Sequence, residues 1–334
     1  MRRQIKKITI RFAVAFICLA LIISWPCMSL AETLQPVTYR LKWLFNASVI
    51  GDIIADEHGA FKTAGLDVDV KEGGPERDAI RELELGYADF GVASADQVIR
   101  ALSKGSPVVV IAQLFQINPL QWIYRSDKLT IDQVQDIKGT VVGITFGGND
   151  ETIMRTLMAM NDISERDVKI FSVRYDYTPF YQKKVDIWPV YRNSQAPMLE
   201  KKLAESGESV AYLNPAAHGV KFVANSVVTS KRMLDAKPEI VEKFVLALLD
   251  GWEAALNPAN ETMALETLRE FDQDTAPDIM QKQLTLTRSL IKPFKDTRIG
   301  SIDIEAWRQT EKIMLAQQQI PNPVFVEGVI RHPF

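Results

Sequence analysis

The chain is poor in the residues that do chemistry. Its 334 residues include two cysteines and three histidines. Cys18 and Cys27 both lie in the first 31 residues, which read as an export signal that leaves on maturation. The mature chain then has no disulfide, no thiolate metal site and no cysteine nucleophile. His58, His218 and His332 are scattered, with no HExxH, no Ser–His–Asp order and no paired histidines with a carboxylate at ligand spacing. Gly147-Gly148 lacks both the Lys-Ser/Thr of a phosphate-binding loop and the third glycine of a dinucleotide fingerprint. No catalytic residue, metal or cofactor is therefore expected. Internal repeats, low-complexity runs and heptads are absent, and no stretch after the first 31 residues is apolar for long enough to span a bilayer.

The front end has its own composition. Arg2, Arg3, Lys6, Lys7 and Arg11 precede the apolar run 12–23, and Ser29-Leu30-Ala31 supplies small residues at the −3 and −1 positions. Cleavage after Ala31 is expected, with a periplasmic mature protein. Neither cysteine follows a small residue, so lipid attachment is not expected. The leader carries five positive charges and no acidic ones, so the net charge of −3 becomes −8 (−3 − 5) after cleavage. That sign excludes bulk electrostatic attraction to nucleic acid. About 300 residues remain, more than a single core usually serves.

What is present is alternation of strand and helix. Val37, Tyr39, Leu41 and Trp43 recur with period two, and Asn46-Ala47-Ser48 breaks that pattern. Ile50, Ile53, Ile54 and Phe61 return at helical spacing, Gly65 ends the helix, and Leu66, Val68 and Val70 alternate again. Strands are expected at 86–92, 108–114, 140–145, 168–173, 185–191 and 210–213, with helices between them. Residues 121–124 and 221–229 read as two crossovers, residues 130–137 as a helix, and the C-terminal third as mostly helical. The pattern implies a mainly parallel α/β architecture in two lobes. Lobe one comprises 32–122 plus 225–334, lobe two is 123–224, and a hinged cleft lies between them.

Ligands of open α/β sheets bind at the carboxyl ends of strands. Trp43, Tyr175, Tyr177, Trp188 and Tyr191 fall at such ends or just beyond, with polar Asn46, Ser94, Asp96, Gln113, Asn149, Asn193 and Asn225 nearby. Five aromatics in that position suit a flat, hydrogen-bonding ligand. The start of the helix at Gly148-Asn149 offers an alternative, an anion held by free backbone N–H groups.

Several segments, in this order, resemble a known family: LKWLFNASVIGDIIADEHGAFKTAGLDV, GYADFGVAS, LSKGSPVVVIAQLF, DIKGTVVGI, VDIWPVYRN and HGVKFVANSVVTSKRMLDAKPEIVEKFVLALLDGWEAALNP. The chain resembles type II periplasmic substrate-binding proteins of ABC transporters. The branch is that of thiamine-pyrimidine biosynthesis proteins and of nitrate, sulfonate and taurine binders. The resemblance implies delivery of a captured solute to a membrane permease with a cytoplasmic ATPase, and a monomer is expected. It maps a ligand site onto Trp43, Asn46, Ser94, Tyr191 and Asn193, to which the aromatic pattern adds Tyr175 and Trp188. Stacking is expected from Trp43 and from Tyr175, Trp188 or Tyr191, and hydrogen bonds from Asn46, Ser94 and Asn193. Pyrimidine binders of the family often place Glu after the last Asn, whereas Ser194 stands here, which opens the site to another heterocycle. The alternatives are a small organic anion such as an alkylsulfonate, or presentation of the ligand to a membrane sensor. The related pyrimidine-synthesising enzymes use a lysine and a histidine where Ala93 and Gln97 stand, and a cysteine motif where HGVKFVAN stands. Enzymatic function is not expected.

Overall fold

The computed structural model describes residues 33–74, 77–174 and 176–332. The expected signal segment 1–31 and the candidate site residue Tyr175 lie outside the described residues. Residues 35–334 belong to one unit, and two five-stranded sheets organise it. The strands are β1 (Gln35–Arg40), β2 (Leu66–Lys71), β3 (Phe90–Ala93), β4 (Val108–Gln113), β5 (Leu120–Arg125), β6 (Val141–Ile144), β7 (Lys169–Ser172), β8 (Ile187–Tyr191), β9 (Val210–Leu213) and β10 (Ser226–Ser230). Helices of seven or more residues are α1 (Ile50–Glu57), α2 (Ala79–Leu85), α3 (Ala95–Ser103), α4 (Asn149–Ala159), α5 (Gln195–Glu205), α6 (Pro238–Leu256), α7 (Glu261–Phe271), α8 (Pro277–Ile291) and α9 (Ile304–Ala316).

The strand orders are β2-β1-β3-β10-β4 and β7-β6-β8-β5-β9. In each sheet the first three strands are parallel, and one antiparallel strand separates them from the last. That antiparallel strand comes in each case from a segment linking the two halves. The expected crossover at 121–124 is thus β5 itself, and the boundary expected at residue 122 falls inside a strand. Leu120, Gln121 and Trp122 pair with Tyr191, Val190 and Pro189 of β8, and the Trp122 indole N–H donates to the Gly143 carbonyl at 3.1 Å. These pairings belong to the second sheet, so the first link lies at 114–119. The return link narrows to 219–225, because Ser226–Ser230 pairs with β3 and β4. The helix expected at 130–137 is one short turn, Val134–Ile137. The Asp136 carboxylate takes the N–H groups of Asp132 and Gln133 (3.0 and 2.9 Å), which closes a local cap in place of a longer helix.

Packing explains why the opening segment is rigid. Tyr39 is fully buried, and its hydroxyl donates to Asp52 Oδ1 at 2.5 Å. Phe244 of α6 stacks on Phe90 at 3.8 Å and meets the edge of Tyr39 at 5.0 Å. Helices α1 and α6 cross at Gly51 and Gly251. A Cβ on Gly51 would lie 2.0 Å from the Trp252 ring, and one on Gly251 would lie 2.5 Å from Ala55 Cβ. The close crossing needs both glycines. It seats α6 against α1, the helix that follows the Trp43 loop.

The halves also touch through the C-terminal helices. From α8, Gln283 donates Nε2–H to the Ser194 carbonyl at 2.8 Å, and Thr287 Oγ accepts from Asn193 Nδ2 at 3.0 Å. From α9, Ile313 joins the apolar core of the second sheet while Trp307 and Met314 join that of the first.

Candidate functional site

A cleft of about 290 Å³ lies where the two sheets face each other. Its lining follows the carboxyl ends of strands, as the rule for open sheets requires. Lys42 and Trp43 follow β1, Phe115 follows β4, Thr145 follows β6 and Arg174 follows β7. Trp188, Pro189 and Tyr191 come from β8 itself. Both links take part, through Pro119 and Asn225.

The second sheet supplies an aromatic wall. Trp188 is almost fully buried and stands 5.7 Å from Tyr177 and 6.0 Å from Phe180, measured between ring centroids. Tyr191 accepts at its hydroxyl from Asn149 Nδ2, 3.3 Å away. Asn193 is 1% exposed; its Nδ2 is held by Thr287, and its Oδ1 has no hydrogen-bond partner among the described residues. A buried acceptor without a donor costs on the order of 1–3 kcal/mol. Because Asn193 lines the cleft, a ligand N–H could relieve that cost.

Of the residues the sequence nominates, Trp43, Trp188, Tyr191 and Asn193 are brought together around the cleft. Asn46 and Ser94 are not among the lining residues. Asn46 Oδ1 accepts from the Ser48 N–H at 2.8 Å and the Ser48 hydroxyl at 2.6 Å, and its Nδ2 donates to the Leu44 carbonyl. The Ser94 hydroxyl donates to Asp96 Oδ1 at 2.5 Å, inside a capping box closed by Gln97. Each of the two polar side chains is claimed by the start of a helix. None of the three histidines lines the cleft. Among the described residues, no cluster of three His, Cys, Asp or Glu forms a metal-ligand set.

Sequence reading missed the charges. Lys42, half-buried, lines the cleft beside Trp43 and makes no hydrogen bond or ion pair among the described residues. Burial lowers its pKa, and the more distant Asp96 carboxylate opposes the shift. Lys42 sits inside an alternating strand pattern, where a lysine reads as a solvent-facing residue. Asp150 also lines the cleft, at the start of α4. Burial pushes its pKa up to about 6, although its Oδ2 accepts the Thr145 N–H at 2.6 Å. The Gly147 N–H is likewise taken, by Glu151 Oε2 at 2.7 Å. Acidic side chains thus already serve the start of α4, which disfavours a bare anion there.

Comparison with known proteins agrees with this architecture. A family model described as NMT1/THI5 like matches residues 46–261, more than half of the chain, and the chain belongs to that family. A riboflavin-binding protein of Chloroflexus aurantiacus is 25% identical over 325 residues, covering 92% of this chain and 88% of its own. A formylaminopyrimidine-binding protein of Halalkalibacterium halodurans is 24% identical over 301 residues, covering 89% of each. A relative from Legionella pneumophila, 24% identical over 280 residues and covering 80% of this chain and 85% of its own, is named 4-amino-5-hydroxymethyl-2-methylpyrimidine phosphate synthase. The periplasmic aliphatic sulphonate binding protein of Escherichia coli superposes with a TM-score of 0.71 at 14% identity, covering 90% of this chain and 93% of that one. The fold is that of the periplasmic binding proteins.

Proposed function

We propose that this NMT1/THI5-like protein is an exported solute-binding protein without catalysis, which captures a flat nitrogen heterocycle of the aminopyrimidine or flavin class in the cleft and delivers it to an ABC permease. The observation that carries the reading is the buried, unpartnered Oδ1 of Asn193 beside an aromatic wall. The wall offers stacking surface, and the oxygen asks for a donor. Aminopyrimidines and flavins offer both a ring face and N–H groups. An alkylsulfonate head offers acceptors only and leaves the Asn193 oxygen without a donor. In this reading Trp43, Tyr177, Trp188 and Tyr191 contact the rings and Asn193 fixes their orientation. The names of the two binding-protein relatives support the ligand class. The chain's shortage of nucleophiles supports binding without turnover, including against the synthase name of the Legionella relative.

The test is a fluorescence titration, with Trp43 and Trp188 as reporters, using riboflavin, formylaminopyrimidine and butanesulfonate. At least one heterocycle is expected to bind at least tenfold more tightly than the sulfonate. Tighter binding of butanesulfonate than of either heterocycle overturns the reading. Co-purification with a permease separates delivery to a transporter from presentation to a membrane sensor.

A further inference from the structure

Four arginines that are buried or half-buried elsewhere in this fold have carboxylate partners. Arg40 meets Glu82 at 2.8 Å, Arg125 meets Glu208 at 2.6 Å, Arg155 meets Glu151 at 2.8 Å and Arg192 meets Glu200 at 3.0 Å. The two cations that line the cleft do not. Lys42 follows the last residue of β1 by two positions, and Arg174 follows that of β7 by two, so they reach the cleft from opposite sheets. Neither makes an ion pair or hydrogen bond among the described residues. The nearest acidic influence on Lys42 is Asp96, and that carboxylate is already engaged: Ser94 donates to one oxygen at 2.5 Å and Arg100 to the other at 3.1 Å. Asp150, the acidic residue in the lining, is bound back onto the Thr145 N–H. Its carboxyl is also folded against Gly148, where a Cβ would come within 2.4 Å of Oδ1.

A partly desolvated ammonium such as that of Lys42 is costly without a counter-charge, whereas Arg174 is exposed and keeps its charge in water at the cleft mouth. Here the missing counter-charge falls where a ligand enters. We propose that Lys42 and Arg174 form a two-sided anion clasp, so that the bound heterocycle carries an anionic substituent, a carboxylate or a phosphate monoester. The proposal rests on the heterocycle reading above and adds a charged group to it. Asn193 and the aromatic wall hold the ring, and the clasp holds the substituent. Lysine, a point charge on a flexible stem, accepts either anion, while the arginine fork adds a planar contact from the other half.

The experiment compares two neutral and anionic pairs by isothermal titration. One pair is 4-amino-5-hydroxymethyl-2-methylpyrimidine and its monophosphate; the other is benzamide and benzoate, which carries no nitrogen heterocycle. In the wild-type protein the anionic member of each pair is expected to bind at least tenfold more tightly, with a gap that narrows as salt rises. Lys42→Met is expected to close most of the gap, while Lys42→Arg retains it; thermal melts of both variants establish that they are folded. Preference for the phosphate but not for benzoate identifies the anion as a phosphate monoester, and the reverse identifies a carboxylate. No anionic preference in either pair, or a preference that survives Lys42→Met, overturns the clasp. Failure of the heterocycle reading looks different: neither pyrimidine binds, while benzoate still exceeds benzamide in a Lys42-dependent way.

Discussion

The two sheets share one strand order and face one cleft, yet they furnish it differently. On the first-sheet side, the polar residues at strand ends are closed off. Asn46 is bound to Ser48, and Ser94 to Asp96 and Gln97. What remains for a ligand there includes Trp43, Lys42 and Phe115. On the second-sheet side the aromatic wall is packed from behind, and Asn193 keeps a buried oxygen without a partner. The difference lies in the helix starts. Asn46 and Ser94 stand at N-cap positions, and a helix N-terminus with unsatisfied N–H groups competes for their oxygens. Asn193 lies one residue before the N-cap Ser194, and Thr287 of the other half holds its amide. A polar residue at a strand end thus keeps its side chain open to the cleft only when no helix start claims it first.

This contrast can be broken by substitution. The largest effect is expected at Trp188. Trp188→Ala opens a hole behind the second wall and should lower unfolding free energy by about 3–5 kcal/mol, read by denaturant titration; a loss below 1 kcal/mol would mean that the wall is not packed from behind. Next comes the buried Asp52 carboxyl on α1, which accepts from Tyr39 of β1. Burial pushes the Asp52 pKa up to about 7, so the folded state holds this proton more tightly than the unfolded chain. The stability it contributes is present in acid and is lost as pH rises from about 4 towards 7. Asp52→Asn preserves an acceptor for the Tyr39 hydroxyl and removes the titration. It should raise stability at pH 8 by up to about 4 kcal/mol and change little at pH 4. An equal gain at both pH values would refute the titration argument.

Smaller effects separate binding from folding. Trp43→Ala should weaken binding of the best heterocycle by at least about 1 kcal/mol with a lesser effect on stability; unchanged affinity removes Trp43 from the site. Asn46→Ala and Ser94→Ala should do the opposite. Each costs about 1 kcal/mol of stability through the lost cap, with affinity within twofold of wild type. A large affinity loss from either would erase the contrast between the two sides.

Much of the fold is legible because periodicity reports burial. Tyr39 and Val37 alternate with polar residues and are buried on one face of β1, and Val241, Phe244, Val245, Leu248 and Trp252 form the buried stripe of α6. The antiparallel strands were not legible as sheet members. β5 and β10 are buried throughout, so they show no alternation, and their partners lie far away in the chain. The aromatic part of the site could be read because strand ends are predictable positions. Lys42 and Arg174 could not, since exposure to a cleft and exposure to solvent leave the same trace in a sequence. The capture of Ser94 did leave a trace, the Ser94-x-x-Gln97 spacing of a capping box, whereas that of Asn46 by Ser48 left none.

The placement of β10 has a consequence for how the molecule forms. The second sheet draws all its strands from residues 120–213, a continuous stretch that can close as soon as it is complete. The first sheet cannot. β3 and β4 leave a gap one strand wide, and only residues 226–230 fill it. Until those residues arrive, β3 and β4 each present an unpaired edge, the kind that joins edge to edge with other chains. The half that starts first in the sequence is therefore finished last. A chain cut before Ser226 would hold one completed sheet and one with two open edges, more prone to aggregate than to fold.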